Sequence, residues 1–281
     1  MLRKPVIEGL VSLCEESLSR LPGDAHAKKL RELCETADQY KECVSEQGKP
    51  IFHIDFQGKK DSKAGQKILV FALIHGDESE SGTLARTWSE RLLDLDSRNT
   101  WRVIPILNPD GWTKGTRQNS NGVDVNRNFP TQDWDKAALE RWMKKEKKDP
   151  RRFPGEKPAS EAETRCAMKH INEFNPDFIV SLHTPYGVLD FDGPQVVFPL
   201  FPKLPWTMLG NFPGSLGRYM WKDNQVPVLT IELRSLEDFE KVDQMESLQD
   251  IAGTVAIKSA EKITGKSKDG ERRLPDASEI D

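Results

Sequence analysis

Histidine and glutamate, two residue types that bind divalent metals, stand three apart in HGDE, as His75 and Glu78, directly after the apolar run KILVFALI. A short separation lets an imidazole and a carboxylate converge on one ion where the backbone turns, and Gly76 permits such a turn. Zinc accepts nitrogen and oxygen donors alike. The pair alone is weak evidence, and a third ligand must come from elsewhere. His183 closes the run FIVSLH, and Thr184-Pro185 breaks the extended pattern after it. Two histidines and a glutamate leave a fourth position open to water, the arrangement of a catalytic zinc site. The plainer reading makes each histidine a hydrogen-bonded loop residue.

Glu232 lies at the end of VPVLTIEL, where an otherwise apolar run carries a carboxylate. Such a group needs a partner or a raised pKa. Beside an activated water it can accept a proton and return it to a departing amine; its structural alternative is an ion pair, for instance with Arg234. The segment GTRQNSNGVDVNRNFP, residues 115–130, is dense in turn formers and directional donors. Arg117 and Arg127 can polarise a carbonyl and clamp a carboxylate, since a guanidinium fork matches two oxygens. Asn126 adds a donor and an acceptor, and Asp124 can orient a metal-binding histidine through its second nitrogen. Each of these could also merely organise a loop. Together with HxxE, a late histidine and a strand-end glutamate they describe a hydrolytic site.

These residues need a frame that gathers them. IFHIDF at 51–56, KILVFALI at 67–74, WRVIPIL at 101–107, NPDFIVSLH at 175–183 and VPVLTIEL at 226–233 read as strands, several apolar enough to be covered on both faces. Helical periodicity marks 83–95 and 161–174. The rhythm of strands and helices indicates an α/β fold with functional side chains at the carboxyl ends of strands. Residues 1–45 read as a helical hairpin, Leu30, Leu33, Ala37 and Tyr40 carrying its second arm and LPGD at 21–24 its turn. His26 is expected on the surface and His53 in a sheet. The basic segment 141–157 is read as a solvated loop, with a collar for anionic substrate and a nucleic-acid patch as the other readings.

The chain has 281 residues, 41 basic against 45 acidic, for a formal charge of −4. That balance argues against a general nucleic-acid binder. The length suffices for a large core without disulfides. The 4 cysteines, Cys14, Cys34, Cys43 and Cys166, form no CxxC pair and are read as free thiols of a reducing compartment. No apolar run reaches membrane-spanning length, and the start of the chain lacks the pattern of a signal peptide. A cytoplasmic location without membrane association is therefore expected. Residues 263–281 read as a flexible polar tail.

HGDE (75–78), NPDG (108–111), GTRQNSNGVDVNRNFP (115–130), SLH (181–183) and TIEL (230–233) resemble the zinc metallocarboxypeptidase family, the carboxypeptidase A-like or M14 peptidases. The resemblance runs over residues 45–262. It implies a three-layer α/β/α fold around a mixed, mostly parallel eight-stranded sheet, in a catalytic domain at 46–262. It implies a Zn2+ cofactor on His75, Glu78 and His183, Glu232 as general acid/base, and Arg117 as the donor to the developing oxyanion. It implies Asn126 and Arg127 as the clamp for a substrate carboxylate, and Asp124 as the partner of the first metal histidine.

Exported digestive members carry a mobile tyrosine some twenty residues before the catalytic glutamate. Tyr219 is only 13 residues before Glu232 and is not assigned that part. GSLGRY, with LHTPYGVLDFDGP at 182–194, is instead similar to bacterial murein peptide amidases, cytoplasmic members that cleave the γ-D-glutamyl–meso-diaminopimelate bond of recycled wall peptides. The resemblance thus implies a small peptide substrate, a muropeptide. A metallocarboxypeptidase for other peptide ends, a small N-acyl amino acid amidohydrolase and a retired binding domain are the competing readings. Oligomeric state and the role of the 1–45 extension stay open.

Overall fold

The computed structural model describes residues 8–59, 65–236 and 242–265. The basic start of the chain and the expected tail from residue 266 onward lie outside the described residues. The eight strands are β1 (Ala37–Asp38), β2 (His53–Phe56), β3 (Lys67–Phe71), β4 (Thr100–Ile104), β5 (Phe178–His183), β6 (Val188–Asp192), β7 (Trp206–Thr207) and β8 (Val228–Glu232). They form one sheet in the order β1-β2-β4-β3-β5-β8-β6-β7. The four central strands β4, β3, β5 and β8 run parallel. β1, β2 and β6 join antiparallel, and β7 pairs parallel with β6.

The central strands are apolar because both of their faces are covered. Successive side chains of a strand point to opposite faces. In β3, Ile68 and Val70 enter one core cluster while Leu69 and Phe71 enter the other. The first cluster holds Leu18 of α1 (Glu8–Ser19), Leu30 and Leu33 of α2 (Ala27–Cys34), Trp88 of α3 (Ser79–Asp94) and Val255 of α7 (Val242–Thr264). The second holds Ala167 and Ile171 of α6 (Ala162–Phe174). Two helical layers around a mixed sheet make the expected three-layer α/β/α architecture. Two short helices, α4 (Pro109–Lys114) and α5 (Trp134–Lys144), lie in the long connection from β4 to α6.

Several local readings change. The second arm of the amino-terminal hairpin ends at Cys34; Ala37 pairs with Ile54 in β1, and Tyr40 lies beyond it. Spacing alone cannot anticipate this, because the competing partner is a strand edge elsewhere in the chain. The run at 67–74 leaves the sheet after Phe71. Leu73 takes a φ of 47° and its N–H donates to Ser81 Oγ, so a loop contact replaces the ladder. His53 is buried in β2 beside Tyr40 and His170, and His26 is exposed, as expected.

The free-thiol reading is overturned. Cys14 is bonded to Cys34, tying α1 to α2, and Cys43 to Cys166, tying the segment after β1 to α6. Among the described residues no cysteine is free. The pairs are 20 and 123 residues apart, and no spacing rule reveals such partners.

Candidate active site

The functional side chains collect at the carboxyl ends of β3, β5 and β8. His183 and Glu232 are the last residues of β5 and β8, and the parallel register pairs them directly. HGDE follows β3 and packs on the NPDG turn at the start of α4. A Cβ on Gly76 would lie 2.0 Å from the Gly111 carbonyl carbon. Glycine is therefore required by this close approach rather than by an unusual backbone angle. Asn108 caps α4 by accepting from the Gly111 N–H at 2.9 Å, which fixes the turn that HGDE packs on.

His75, Glu78 and His183 converge, all buried, with one donor atom of each within 4.8 Å of the others. Glu78 Oε1 lies 2.8 Å from His75 Nδ1, and Oε2 lies 2.9 Å from His183 Nδ1. Outside the cluster, His75 Nε2 meets Asp124 Oδ1 at 3.2 Å and His183 Nε2 meets Ser181 Oγ at 2.9 Å. Both rings thus offer Nδ1 inward and are held by their other nitrogen, as metal-binding histidines usually are. Burial pushes the Glu78 and Asp124 carboxyls up. Facing charges outweigh it, His75 and His183 for Glu78 and Arg117 and His75 for Asp124, and hold both well below the ordinary range. Ionised carboxylates on two sides of neutral-capable imidazoles fit a small divalent cation, and two N and one O donors fit zinc with a position left open.

Asp124, wholly buried, also binds Arg117 at 2.9 Å through Oδ2. Arg117 Nη1 is left facing the metal cluster, 3.2 Å from His75 Nδ1 and 3.6 Å from Glu78. Asn126 spends Oδ1 on the Leu216 N–H at 2.9 Å, leaving its amide nitrogen for the cleft. Arg127 lies over the Phe212 ring at 4.7 Å, and its buried Nε has no hydrogen-bond partner among the described residues. Glu232 Oε2 is likewise buried without a partner among the described residues, and burial raises its pKa, with His183 opposing and Glu78 adding to the rise. Unsatisfied buried groups of this kind call for a ligand. His75, Glu78, His183, Arg117, Asn126, Arg127 and Glu232 line one cleft of about 690 Å³, and Asp124 stands behind it.

Tyr219 does not line it: the ring is buried and stacks on Phe129. The exposed aromatic at the cleft is Tyr186, just past the Thr184-Pro185 bond. From the basic segment, Arg151 and Arg152 reach the cleft, each ion-paired, to Asp77 and to Glu146 and Asp149. Sequence reasoning also misses Asp190, Asp192 and Thr230, which line the same cleft. The alternation in VLDFD was the available signal. A second trio, Cys43, Cys166 and His170, brings metal-binding residues together, but its sulfurs are joined in the disulfide.

The family model for zinc carboxypeptidase matches residues 27–191, more than half of the chain. This chain belongs to the zinc carboxypeptidase family. It therefore carries a metallopeptidase domain with the metal-binding cluster that the family's chemistry requires. Within that family it is 36% identical over 124 residues to murein peptide amidase A of Escherichia coli strain K12, covering 43% of this chain and 50% of the relative. The match thus spans about half the length of that relative. Murein peptide amidase A of Vibrio campbellii is 30% identical over 201 residues, 66% of this chain and 75% of the relative. The crystal structure of murein-tripeptide amidase from Escherichia coli O157 superposes with a TM-score of 0.53 at 25% identity, over 78% of this chain and 91% of that one.

Proposed function

We propose that this zinc carboxypeptidase family member hydrolyses the amide between γ-D-glutamate and meso-diaminopimelate in wall peptides. The observation that carries this reading is the lining of the cleft. The metal cluster and Arg127 share it with acidic and polar groups, not with a deep apolar wall. A cleft so lined suits a leaving residue that is charged at both ends.

His75, Glu78 and His183 would hold the zinc, which supplies Lewis acidity toward a water and a carbonyl. Glu232 takes a proton from the attacking water and delivers it to the departing amine. Arg117, braced by Asp124, donates from Nη1 to the oxygen that gains charge. Arg127 and the Asn126 amide hold the carboxylate beside the scissile bond, which sets its register.

The division into a 1–45 extension, a 46–262 catalytic domain and a 263–281 tail belongs to the same proposal. The extension packs Leu18, Leu30 and Leu33 into the core of the catalytic sheet. A cytoplasmic location stays attached to this reading through the recycled-peptide substrate alone. Disulfides, found where free thiols were expected, persist chiefly in oxidising compartments. Among the described residues no helix is long and apolar enough to cross a membrane.

Zinc-loaded protein incubated with L-Ala-γ-D-Glu-meso-diaminopimelate should release free diaminopimelate, read by mass spectrometry. Its absence, with ordinary peptides or N-acyl amino acids cleaved instead, would move the protein to another branch of the family.

A further inference from the structure

We propose that Asp190 and Asp192 read an ammonium group on the side chain of the residue that leaves, making them the specificity-determining pair of the cleft. The inference rests on the amide-hydrolase reading above for the reaction, and on separate residues for the recognition.

Asp190 and Asp192 are two apart on β6 and so share one face. The antiparallel register sets Asp190 opposite Thr230 and Val188 opposite Glu232. Asp190 and Glu232 are therefore diagonal neighbours on that face, a separation of roughly 7–8 Å between backbone positions. Asp190, Asp192, Thr230 and Glu232 all line the cleft. Asp190 thus stands next to the catalytic glutamate and Asp192, opposite Val228, one step farther along the cleft wall built from the β6 end of the sheet, and Arg117 and Arg127 enter from the 115–130 loop.

The two carboxylates are held by neutral donors, and Lys222 acts on Asp192 only from beyond ion-pair distance. Asp190, 6% exposed, accepts from the Phe191 N–H at 2.9 Å, and Asp192 Oδ1 accepts from Asn211 Nδ2 at 2.7 Å. Among the described residues neither makes an ion pair with lysine or arginine. Gly217 lets the backbone pack against the second oxygen of Asp192, since a Cβ there would lie 2.1 Å from Oδ2. Any other residue at 217 would push the carboxylate aside, which gives the second glycine of GSLGRY a chemical reason. Burial, with Asp192 and Glu232 adding to it, pushes the Asp190 carboxyl up to about 6, and burial raises Asp192 as well. A buried and a half-buried acid, neither of them ion-paired among the described residues, form a site an ammonium completes, and an apolar side chain would leave them desolvated and unpaired. With Arg127 on the neighbouring carboxylate, the cleft becomes bipolar and matches a diamino acid. Diaminopimelate is one, and lysine presents the same ammonium.

The test uses the zinc-loaded full chain and three substrates: the wall tripeptide, its analogue ending in 2-aminopimelate, which lacks the distal amine, and an ordinary peptide ending in lysine. Wild type should prefer the tripeptide over the amine-less analogue by about 10²-fold or more in kcat/KM. Asp190→Asn and Asp192→Asn, near-isosteric changes, should shrink that ratio to a few-fold, mainly through KM, with zinc content and melting temperature kept. Calorimetric binding of diaminopimelate and of 2-aminopimelate reads the same contact without turnover. Equal handling of both substrates or both amino acids by wild type, or an unchanged ratio in folded, zinc-loaded variants, overturns the inference. If the tripeptide is cleaved with no regard to its amine, the amidase reading stands and the acid pair loses its role. If only the lysine peptide is cleaved, and Asp190→Asn abolishes that preference, the ammonium site stands and the wall-peptide reading falls.

Discussion

The Nδ1 atoms of His75 and His183 face each other at 3.2 Å, and Glu78 divides its two oxygens between them. Two imidazole lone pairs brought this close repel unless a cation or a proton lies between them. Asp124 and Ser181, on the outer nitrogens, determine that the inner ones are the donors. The cluster is thus arranged for an ion by groups on three separate parts of the chain.

Removing a donor should release the metal. His183→Ala should lose most of its zinc through gel filtration, read by elemental analysis. Ser181→Ala keeps the donor and loses only its support, so a weaker effect is expected, about 10–100-fold in affinity. Full occupancy in His183→Ala would take His183 out of the coordination set.

Glu232→Gln should keep zinc and lose turnover. The amide has nearly the same shape but cannot take up and return a proton. A fall of roughly 10²–10⁴-fold, mainly in kcat, is expected. A kcat close to wild type would place the base elsewhere.

Arg127 separates clamp from brace through a substrate pair. Amidating the carboxylate beside the scissile bond should harm wild type strongly, by about 10²-fold in kcat/KM, and Arg127→Ala little. Lysine at 127 should rescue only in part, because a point charge lacks the fork. The same amidation penalty in both enzymes would leave Arg127 as a support for Phe212 and the loop.

Glu163 gives a pH signature of stability. It is fully buried, accepting from Asn119 at 2.9 Å and from the Glu46 N–H at 3.2 Å. Burial pushes its carboxyl up to about 7 from 4.5, Asn119 opposing. A raised folded value means the fold holds the proton more tightly than the unfolded chain. The stabilisation is then full below about 4.5, declines as pH rises, and is gone above about 7. Glu163→Gln, neutral at every pH, should flatten that decline and gain on the order of 2–3 kcal/mol relative to wild type between the two limits. Parallel urea curves at pH 5 and pH 8 measure it; the same difference at both would show that Glu163 does not titrate in this window.

The disulfides should carry stability in proportion to the loops they close. Opening a link over 20 residues is worth about 3 kcal/mol and over 123 residues about 4–5 kcal/mol in the chain-entropy account. Reductant should therefore lower the urea midpoint, most of all when Cys43–Cys166 opens. Because all four cysteines are buried, cells quenched in acid and alkylated in denaturant test the compartment: four modified cysteines would mean that the protein works reduced, and none that it works oxidised.

The His75, Glu78 and His183 cluster was legible because each histidine follows or closes an apolar run before a chain break, and Glu78 stands three residues after the first of them. Glu232 was legible for the same reason. The 115–130 loop could be read as a cluster of donors, but which donor meets which partner depends on Asp124 reaching both His75 and Arg117 across the fold. Asp190 and Asp192 escaped because acids alternating on a strand look like a solvated face until β8 and the 210–217 segment cover them. Tyr40 escaped its true setting because helical spacing persists past Cys34, where an edge strand begins. Leu248, Ile251, Ala252 and Val255 of α7 do carry a helical period that a longer window finds.

The two outermost strands, β1 and β7, are each two residues long. A sheet edge is a template on which another chain can add itself, and its reach is set by the length of ladder left unpaired. Here the Ala37–Asp38 segment after the hairpin and the 194–207 segment close the sheet with stubs too short for a second molecule to extend in register. The segment before residue 46 thereby leaves only a two-residue ladder on the β2 border, which limits edge-to-edge addition of another chain there.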